Sequence, residues 1–246
     1  MNEFLAPALG PVLSVVSSPW FLAAWLVLML PSLVIVIRDL ATKNVHLMSL
    51  MKVVWGLTVL YSGPLGLLIY WRTGRKEIPD DRPWRRAFRS VAHCYSGCGL
   101  GEIIGVLIAV GLLAAGNIVT AIVTFALAYT IGFALSFGPL LQDGVAPWQA
   151  VKDTFRAETP SILVMEIVAI SVDLMLAGNA GMGEVIFWSS LIVSLTLGLL
   201  AAYPVNLALI KAGVKEGMMD PRMTDHSHHA EAEADPMHPR YHPGHA

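Results

Sequence analysis

The chain has 246 residues, of which 55% are hydrophobic and 14% are charged, and its formal net charge at pH 7 is -2. Soluble globular domains carry roughly 25% charged residues, so this composition excludes an ordinary soluble domain and indicates an integral membrane protein. A content of 2 cysteines also excludes a disulfide-rich secreted scaffold.

Six long apolar runs follow one another along the chain. A helix needs about 20 apolar residues to cross the hydrocarbon layer, and each run is close to that length or longer. The predicted fold is therefore all-α, a polytopic membrane protein with about six transmembrane helices over residues 20–211. The runs are residues 20–37, 47–71, 90–115, 117–141, 161–180 and 185–210.

The two ends of the chain and the loops predict an orientation. Residues 1–19 lack the basic start of a signal peptide and are predicted to be a short interfacial segment. Lysine and arginine are concentrated in the second and fourth loops and in the tail, which lie on one side of a six-helix arrangement, although three cations in the first loop weaken the asymmetry. The positive-inside rule therefore predicts that both termini lie in the cytoplasm.

A sequence pattern recurs around the third and fifth runs. Each run is approached by a Pro–Trp pair, and the spacing from Trp84 to Glu102 equals that from Trp148 to Glu166. The pattern favours a parallel duplication of a helical hairpin, but interfacial tryptophans and proline kinks recur in membrane proteins without duplication. The two candidate copies are residues 83–142 and 147–207.

The third run opens with HCYSGCGLGE, which contains both cysteines of the chain. Because residues four apart share a helix face, Cys94, Cys98 and Glu102 are predicted to form a ladder, with His93 beside its first step. Glycines at the same spacing form a neighbouring stripe that allows close helix packing. These glycines are Gly97, Gly101 and Gly105.

The fifth run adds two carboxylates, Glu166 and Asp173, at depths that match the motif of the third run. An ionised group near the bilayer centre costs about 2.5 kcal/mol or more, so such groups usually face a cavity or a partner. Lysine and arginine are absent from the deep parts of these runs. A proton or a bound cation is therefore expected to neutralise the carboxylates.

Thiolate, imidazole and carboxylate groups are ligands of zinc and related transition metals, so the sequence predicts a buried metal site. Zinc and copper are the expected ions; thiolates with Met165, Met175 or Met182 would suit copper(I), although methionines are more often core residues. The alternative is that the cysteines are small apolar core residues and the carboxylates are proton carriers. The predicted ligands are His93, Cys94, Cys98, Glu102, Glu166 and Asp173.

Residues 212–246 form a polar, proline-punctuated tail that is predicted to be disordered and cytoplasmic. Histidine-rich tracts suit transition metals, which predicts a second metal-binding region. Acidic residues and prolines interrupt the histidines, and this favours a native tail over an engineered tag. The tail histidines are His226, His228, His229, His238, His242 and His245.

Four segments carry a resemblance to a known family. They are HCYSGC followed by GLGE, SGPLGLLIYW at the end of the second run, PWQAVKDTFRAETPSI before the fifth, and YPVNLALIKAGVKEGM at the end of the sixth. Over about residues 50–220 the chain resembles an uncharacterised bacterial integral membrane family, domain of unknown function 4396. The resemblance implies a helical fold in a bacterial inner membrane and carries no established activity.

The leading functional hypothesis is transport or delivery of a transition metal, with protons as the coupling ion, because nucleotide-binding motifs are absent from the sequence. One alternative is a membrane redox enzyme that uses Cys94 and Cys98 as a dithiol or a metal centre, although redox pairs are normally separated by two residues rather than three. Another is a scaffold subunit whose polar residues only join helices. A transporter is favoured over an enzyme, lipid and metal are the expected partners, nucleic acid is not, and the oligomeric state is left open.

Overall fold

The computed structural model describes residues 6–142, 144–218 and 220–223, and the regular secondary structure in these ranges is helical, which confirms the all-α class. A π-helical stretch, Leu107–Leu112, prolongs the fifth helix. The helices are α1 (Ala6–Val16), α2 (Pro19–Thr42), α3 (Ser49–Ser62), α4 (Pro64–Thr73), α5 (Pro83–Val106), α6 (Asn117–Gln142), α7 (Pro147–Leu176) and α8 (Val185–Lys211).

Five helices are long and apolar enough to span a membrane, namely α2, α5 with its π-helical end, α6, α7 and α8. This supports the predicted polytopic membrane fold. α5 and α7 begin at Pro83 and Pro147, before the apolar runs themselves. Proline is well placed in a first turn because its missing N–H would have no helical partner there. The two basic approaches are therefore the first turns of the spanning helices.

The second predicted crossing consists of two short helices, α3 and α4, that fold back on each other. Gly63 joins them at φ 55°, a left-handed conformation that favours glycine. The rings of Trp55 and Tyr70 are 5.3 Å apart, whereas a continuous helix would separate these residues by about 22 Å. A Cβ on Gly66 would lie 2.7 Å from the backbone oxygen of Thr58, so the two backbones are in direct contact.

The end of α4 lies beside the end of α2 and the start of α3. Asp39, near the end of α2, accepts a 2.7 Å hydrogen bond from the Tyr70 hydroxyl group and pairs with Arg75 at 3.0 Å. Just after α2, the Asn44 side chain accepts from the backbone N–H of Lys76 at 2.9 Å. The hairpin of α3 and α4 therefore enters and leaves at the same end of the molecule.

The tip of this hairpin stops part of the way through the bundle. A Cβ on Gly63 would lie 3.6 Å from the Cβ of Met29, which is near the middle of α2. The described chain therefore has five candidate membrane-spanning helices, and α1 lies at the opposite end of the bundle from the segment that follows α8. The apolar run 47–71, predicted as one of about six spanning helices, turns back as two short helices, and the side of the membrane on which each terminus lies stays a prediction.

The remaining helices form two hairpins, α5 with α6 and α7 with α8. The two hairpins have the same orientation, so α5 is parallel to α7 and α6 is parallel to α8. This arrangement matches the one expected from a duplication, while the duplication itself stays a prediction. α5 is the most buried of the five spanning helices, and it packs against α3, α4, α6, α7 and α8. Residues on α5 are therefore placed to meet side chains from most of the bundle.

The chain after α8 folds back across the end of the bundle where α2, α4 and α8 end, which we call the basic end. Arg89, only 1% exposed, donates to the backbone oxygens of Thr73 at 3.0 Å and Met218 at 3.2 Å, and it pairs with Asp81. One arginine thus joins α4, α5 and the segment after α8. This C-terminal strap comprises residues 212–218 and 220–223.

Candidate functional site

A centre of two thiols and one carboxyl group lies between α5 and α7. Cys94, Cys98 and Glu166 are completely buried, and both cysteines are free. The Cys98 thiol lies within interaction range of both Cys94 and Glu166. Apart from the Cys98 thiol, neither carboxylate oxygen of Glu166 has a hydrogen-bond partner among the described residues. One thiol can donate to only one oxygen, so the centre still contains a buried acceptor atom that needs a proton, water or a cation.

Two further carboxylates continue from this centre away from the basic end. Glu102, one helical turn beyond Cys98, interacts electrostatically with Glu166 and Asp173. Asp173 accepts a 2.6 Å hydrogen bond from the hydroxyl group of Ser190 on α8. One oxygen of Glu102, Oε2, is buried without a partner among the described residues. The three carboxyl groups thus form a series along the interior of the bundle.

A small cavity lies beside Glu102 and Asp173 near the end opposite the basic end. It contains about 40 Å³ of space for water, and its polar lining includes Asn117, Thr120 and Thr124 at the start of α6. A water molecule needs roughly 10–15 Å³ by this measure, so the cavity can hold about three. The last two carboxyl groups of the series, Glu102 and Asp173, therefore lie beside a space that can hold a few water molecules.

A hydrogen-bonded network lies on the other side of the thiols, toward the basic end. Lys215 of the C-terminal strap donates to Glu158 at 2.7 Å and to the Asn206 side chain at 3.0 Å. The Asn206 carbonyl oxygen also accepts from Ser90 at 3.0 Å, and its amide group donates to Ser161. Buried polar side chains from α5, α7, α8 and the strap are thereby joined in one network.

The electrostatic partners of His93 belong to this network and not to the thiol centre. Its ring interacts electrostatically with Glu158 and Lys215, and its buried Nε2 atom has no partner among the described residues. The six predicted ligands therefore lie one after another along the bundle and do not surround a single point. His93 interacts with the network, Cys94 and Cys98 lie near Glu166, and Glu102 and Asp173 lie farther from the basic end.

A metal-coordinating shell is not assembled in this conformation. Within the ranges that the structure describes, no group of three or more histidine, cysteine, aspartate or glutamate side chains could hold a metal ion. The thiol and carboxyl groups fit zinc or copper by their chemistry, but they would have to close around the ion. The tail histidines lie outside the described residues: His226, His228, His229, His238, His242 and His245.

The glycine stripe of α5 lies directly against α6. A Cβ on Gly97, Gly101 or Gly105 would lie between 2.5 and 2.8 Å from a Cα atom of α6, so a side chain at any of the three would collide with backbone. On the facing helix, a Cβ on Gly132 would lie 3.0 Å from the sulfur atom of Cys98. Small residues on both helices therefore bring α5 and α6 together beside the thiols.

Sequence reasoning missed the network at the basic end. Glu158 lies just before Pro160 and before the fifth apolar run, residues 161–180, so the sequence pattern places it in the fourth loop. The helix continues through Pro160, so Glu158 shares a face with Glu166 about two turns later. That eight-residue spacing is a signal that could have identified Glu158. Lys215 offered no such signal, because the strap reaches α7 only through tertiary structure.

The comparisons with known proteins concern the part of the chain that holds this site. A family model described as "Domain of unknown function (DUF4396)" matches residues 83–215, more than half of the chain. No curated protein and no solved structure matches the chain significantly. The matched region runs from the start of α5 to Lys215, and it includes all of the predicted ligands in the helices. The chain therefore belongs to the DUF4396 family.

Proposed function

We propose that the protein carries a transition metal ion, zinc or copper, across or to the membrane, with protons as the coupling ion. The observation that carries the proposal is the position of Glu166, which lies beside both thiols and whose buried oxygens have no partner among the described residues other than the Cys98 thiol. A cation or a proton would satisfy these oxygens. The neighbouring thiols favour a borderline or soft metal over a hard cation.

The polar side chains of α5, α7 and α8 supply the route in this proposal. An ion from the basic end meets Glu158 and His93 first, and then Cys94, Cys98 and Glu166. Glu102 and Asp173 follow, beside the cavity near the opposite end. Carboxyl groups without a cationic partner can exchange a proton for the metal ion, because either one neutralises their charge.

Binding in this proposal requires a small rearrangement. The ligands lie in sequence along α5 and α7, so α5 must shift against its neighbours to bring three donors around one ion. The glycine stripe, Gly97, Gly101 and Gly105, provides a smooth contact with α6 along which such a shift can occur.

We also propose that the protein lies in a bacterial inner membrane with its basic end in the cytoplasm. All described lysine and arginine residues lie toward that end, because the α3–α4 hairpin returns the first loop to the same side as the second. By the positive-inside rule that end is cytoplasmic, and α1 then lies at the other face. The residues are Arg38, Lys43, Lys52, Arg72, Arg75, Lys76, Arg82, Arg85, Arg86, Arg89, Lys152, Arg156, Lys211, Lys215 and Arg222.

Cysteine labelling tests this orientation. In a Cys94→Ser/Cys98→Ser background, a cysteine is introduced at Ser14 in α1 or at Glu216 in the strap, both of which are exposed. A membrane-impermeant maleimide added to intact spheroplasts is expected to label the Ser14→Cys protein and to leave the Glu216→Cys protein unlabelled until the membrane is disrupted. The reverse pattern would place the basic end outside.

Metal content tests the proposed cargo. The full-length chain, with its six tail histidines replaced by alanine, is purified in detergent without chelator or nickel resin and analysed for metals. We expect near-stoichiometric zinc or copper, and loss of that metal in the Cys94→Ser/Cys98→Ser double variant. Glu216→Gln is the matched control, since it removes an exposed carboxylate at the basic end and should retain the metal.

A second candidate, dithiol redox chemistry, is favoured by one observation: the two free thiols, Cys94 and Cys98, lie within interaction range of each other. The same preparations separate the two functions. Metal that is lost with the cysteines supports transport. Absence of metal, together with reversible oxidation of both thiols, supports the redox candidate. If neither bound metal nor reversible thiol oxidation is found, the scaffold role remains and the transport proposal is contradicted.

A further inference from the structure

Lys215 holds a buried ammonium group at the basic end of the bundle. Its Nζ atom lies 2.7 Å from Glu158 Oε2 and 3.0 Å from Asn206 Oδ1. The side chains of Lys215 and Glu158 are each 7% exposed. Lysine and glutamate are almost never this buried unless they are paired, because removing a charge from water is costly. The position of this lysine therefore depends on the acceptors around it.

The two acceptors are held in place by other helices, independently of the lysine. The second carboxylate oxygen of Glu158 accepts from Ser136 of α6 at 3.1 Å. The Asn206 carbonyl oxygen accepts from Ser90 of α5 at 3.0 Å, and its amide group donates to Ser161 of α7. Four helices thus fix an oxygen-lined position for a positive charge. We call Glu158 Oε2 and Asn206 Oδ1 the oxygen cage.

His93 connects the oxygen cage to the thiol motif through its electrostatic interactions and its place in the chain. Its ring interacts with both Glu158 and Lys215, and Nε2, on a side chain that is 3% exposed, has no partner among the described residues. Cys94 is the next residue of the chain. A cation that entered the cage from the basic end would meet the free imidazole nitrogen next, and then the thiol centre.

We propose that the oxygen cage is a cation-binding site that Lys215 fills at rest, so that this lysine closes the basic end of the path to the thiols. An ammonium group is a compact charge on a flexible stem, and Lys215 lies on the strap after α8 rather than within a helix. It can leave the cage without moving a spanning helix. A small cation that takes carboxylate and carbonyl oxygens competes for the same position. The inference concerns access to the thiols and does not depend on the nature of the cargo.

Thiol labelling tests this closure, because Cys94 and Cys98 are the only cysteines in the chain. Full-length protein in detergent is treated with a cationic methanethiosulfonate reagent, which converts an accessible thiol into a mixed disulfide, and labelling is followed by intact-protein mass spectrometry. We expect Lys215→Ala to label about tenfold faster or more, the factor that the loss of one charge-assisted hydrogen bond would give. Lys211→Ala removes an exposed lysine at the end of α8 and should label at the wild-type rate.

Propylammonium is the probe for the site itself. It resembles the part of the side chain that Lys215→Ala removes, and it carries three N–H donors. We expect it to slow the labelling of Lys215→Ala and to raise the thermal unfolding midpoint of this variant more than that of the wild type. Tetramethylammonium has the same charge without donors and should do neither. Equal effects of the two ions, or no effect of either, would overturn the assignment of a cation site.

The double variant Glu158→Gln/Lys215→Met covers the case in which Lys215→Ala does not fold. It removes both charges of the buried pair and leaves side chains of similar size. We expect it to fold, to label faster than the wild type, and to be insensitive to propylammonium because the carboxylate is gone. Wild-type labelling rates in either Lys215 variant would show that the lysine does not close the path. Neither result depends on metal content, so failure here is distinguishable from failure of the transport proposal.

Discussion

Acidic residues at the basic end and acidic residues in the membrane interior have opposite environments. Three of those at the basic end form ion pairs that join separate segments: Asp39 with Arg75, Asp81 with Arg89, and Glu158 with Lys215. Those of the interior series, Glu102, Glu166 and Asp173, take part in none of the ion pairs between described residues. Paired acids join segments of the chain. Carboxyl groups without a cationic partner are costly in a membrane interior, and this supports the functional role proposed for them.

Removing the most buried guanidinium group should have the largest effect on stability. Arg89→Met removes the guanidinium group that pairs with Asp81 and contacts two backbone oxygens, leaving these groups unsatisfied. We expect a loss of about 3–5 kcal/mol in the free energy of unfolding, measured by chemical denaturation in detergent. Arg72→Met, at an exposed position of α4, should change it by no more than about 0.5 kcal/mol. Similar losses in both variants would mean that burial does not distinguish these arginines.

The anchor of the α3–α4 hairpin should give the next largest effect. Asp39 accepts hydrogen bonds from Tyr70, Arg75 and Asn44, so Asp39→Asn weakens several contacts at once. We expect a loss of about 1.5–3 kcal/mol and faster amide hydrogen exchange in α4. Glu77→Gln is the matched control, because Glu77 also pairs with Arg75 but its side chain is 53% exposed. Its effect should stay below about 1 kcal/mol.

Neutralising an interior carboxyl group should have the smallest effect on stability. Glu166→Gln keeps the size of a side chain whose oxygens have no partner among the described residues other than the Cys98 thiol. We expect the free energy of unfolding to change by less than about 1 kcal/mol, while metal content falls to background. A loss as large as that of Asp39→Asn would show that Glu166 is structurally paired, and it would remove the contrast between the two regions.

The sequence predicted the helical class, the two hairpins of α5 to α8 and the glycine stripe, because these follow from local periodicity. Gly97, Gly101 and Gly105 recur at the spacing of one helix face, and the structure places all three against α6. Residues 47–71 form one long hydrophobic run, and the Gly63-Pro64 pair within it is also typical of a kink in a single long helix. Contacts between the two short helices, such as Trp55 with Tyr70 and Gly66 with Thr58, distinguish a returning hairpin from a single spanning helix, and no local pattern encodes them.

The candidate site was predictable in its residue types but not in its arrangement. Cys94, Cys98 and Glu166 come together as the depth argument predicted, because helices of known rise place equal depths side by side. The electrostatic partners of His93 are Glu158 and Lys215, and Lys215 comes near His93 only because the C-terminal strap folds back across the basic end. The position of the strap depends on contacts such as Arg89 with Met218, which join residues distant in the chain.

The returning α3–α4 hairpin has a consequence for how the chain is made. During co-translational insertion, residues 47–71 enter the translocation channel as an apolar run of spanning length, yet the following loop must stay on the side from which it came. Seven cations in residues 72–89 follow the hairpin directly, and they oppose transfer of this loop across the membrane. By the positive-inside rule, the arginines that pair with Asp39 and Asp81 in the folded protein also favour keeping this loop on its original side during insertion.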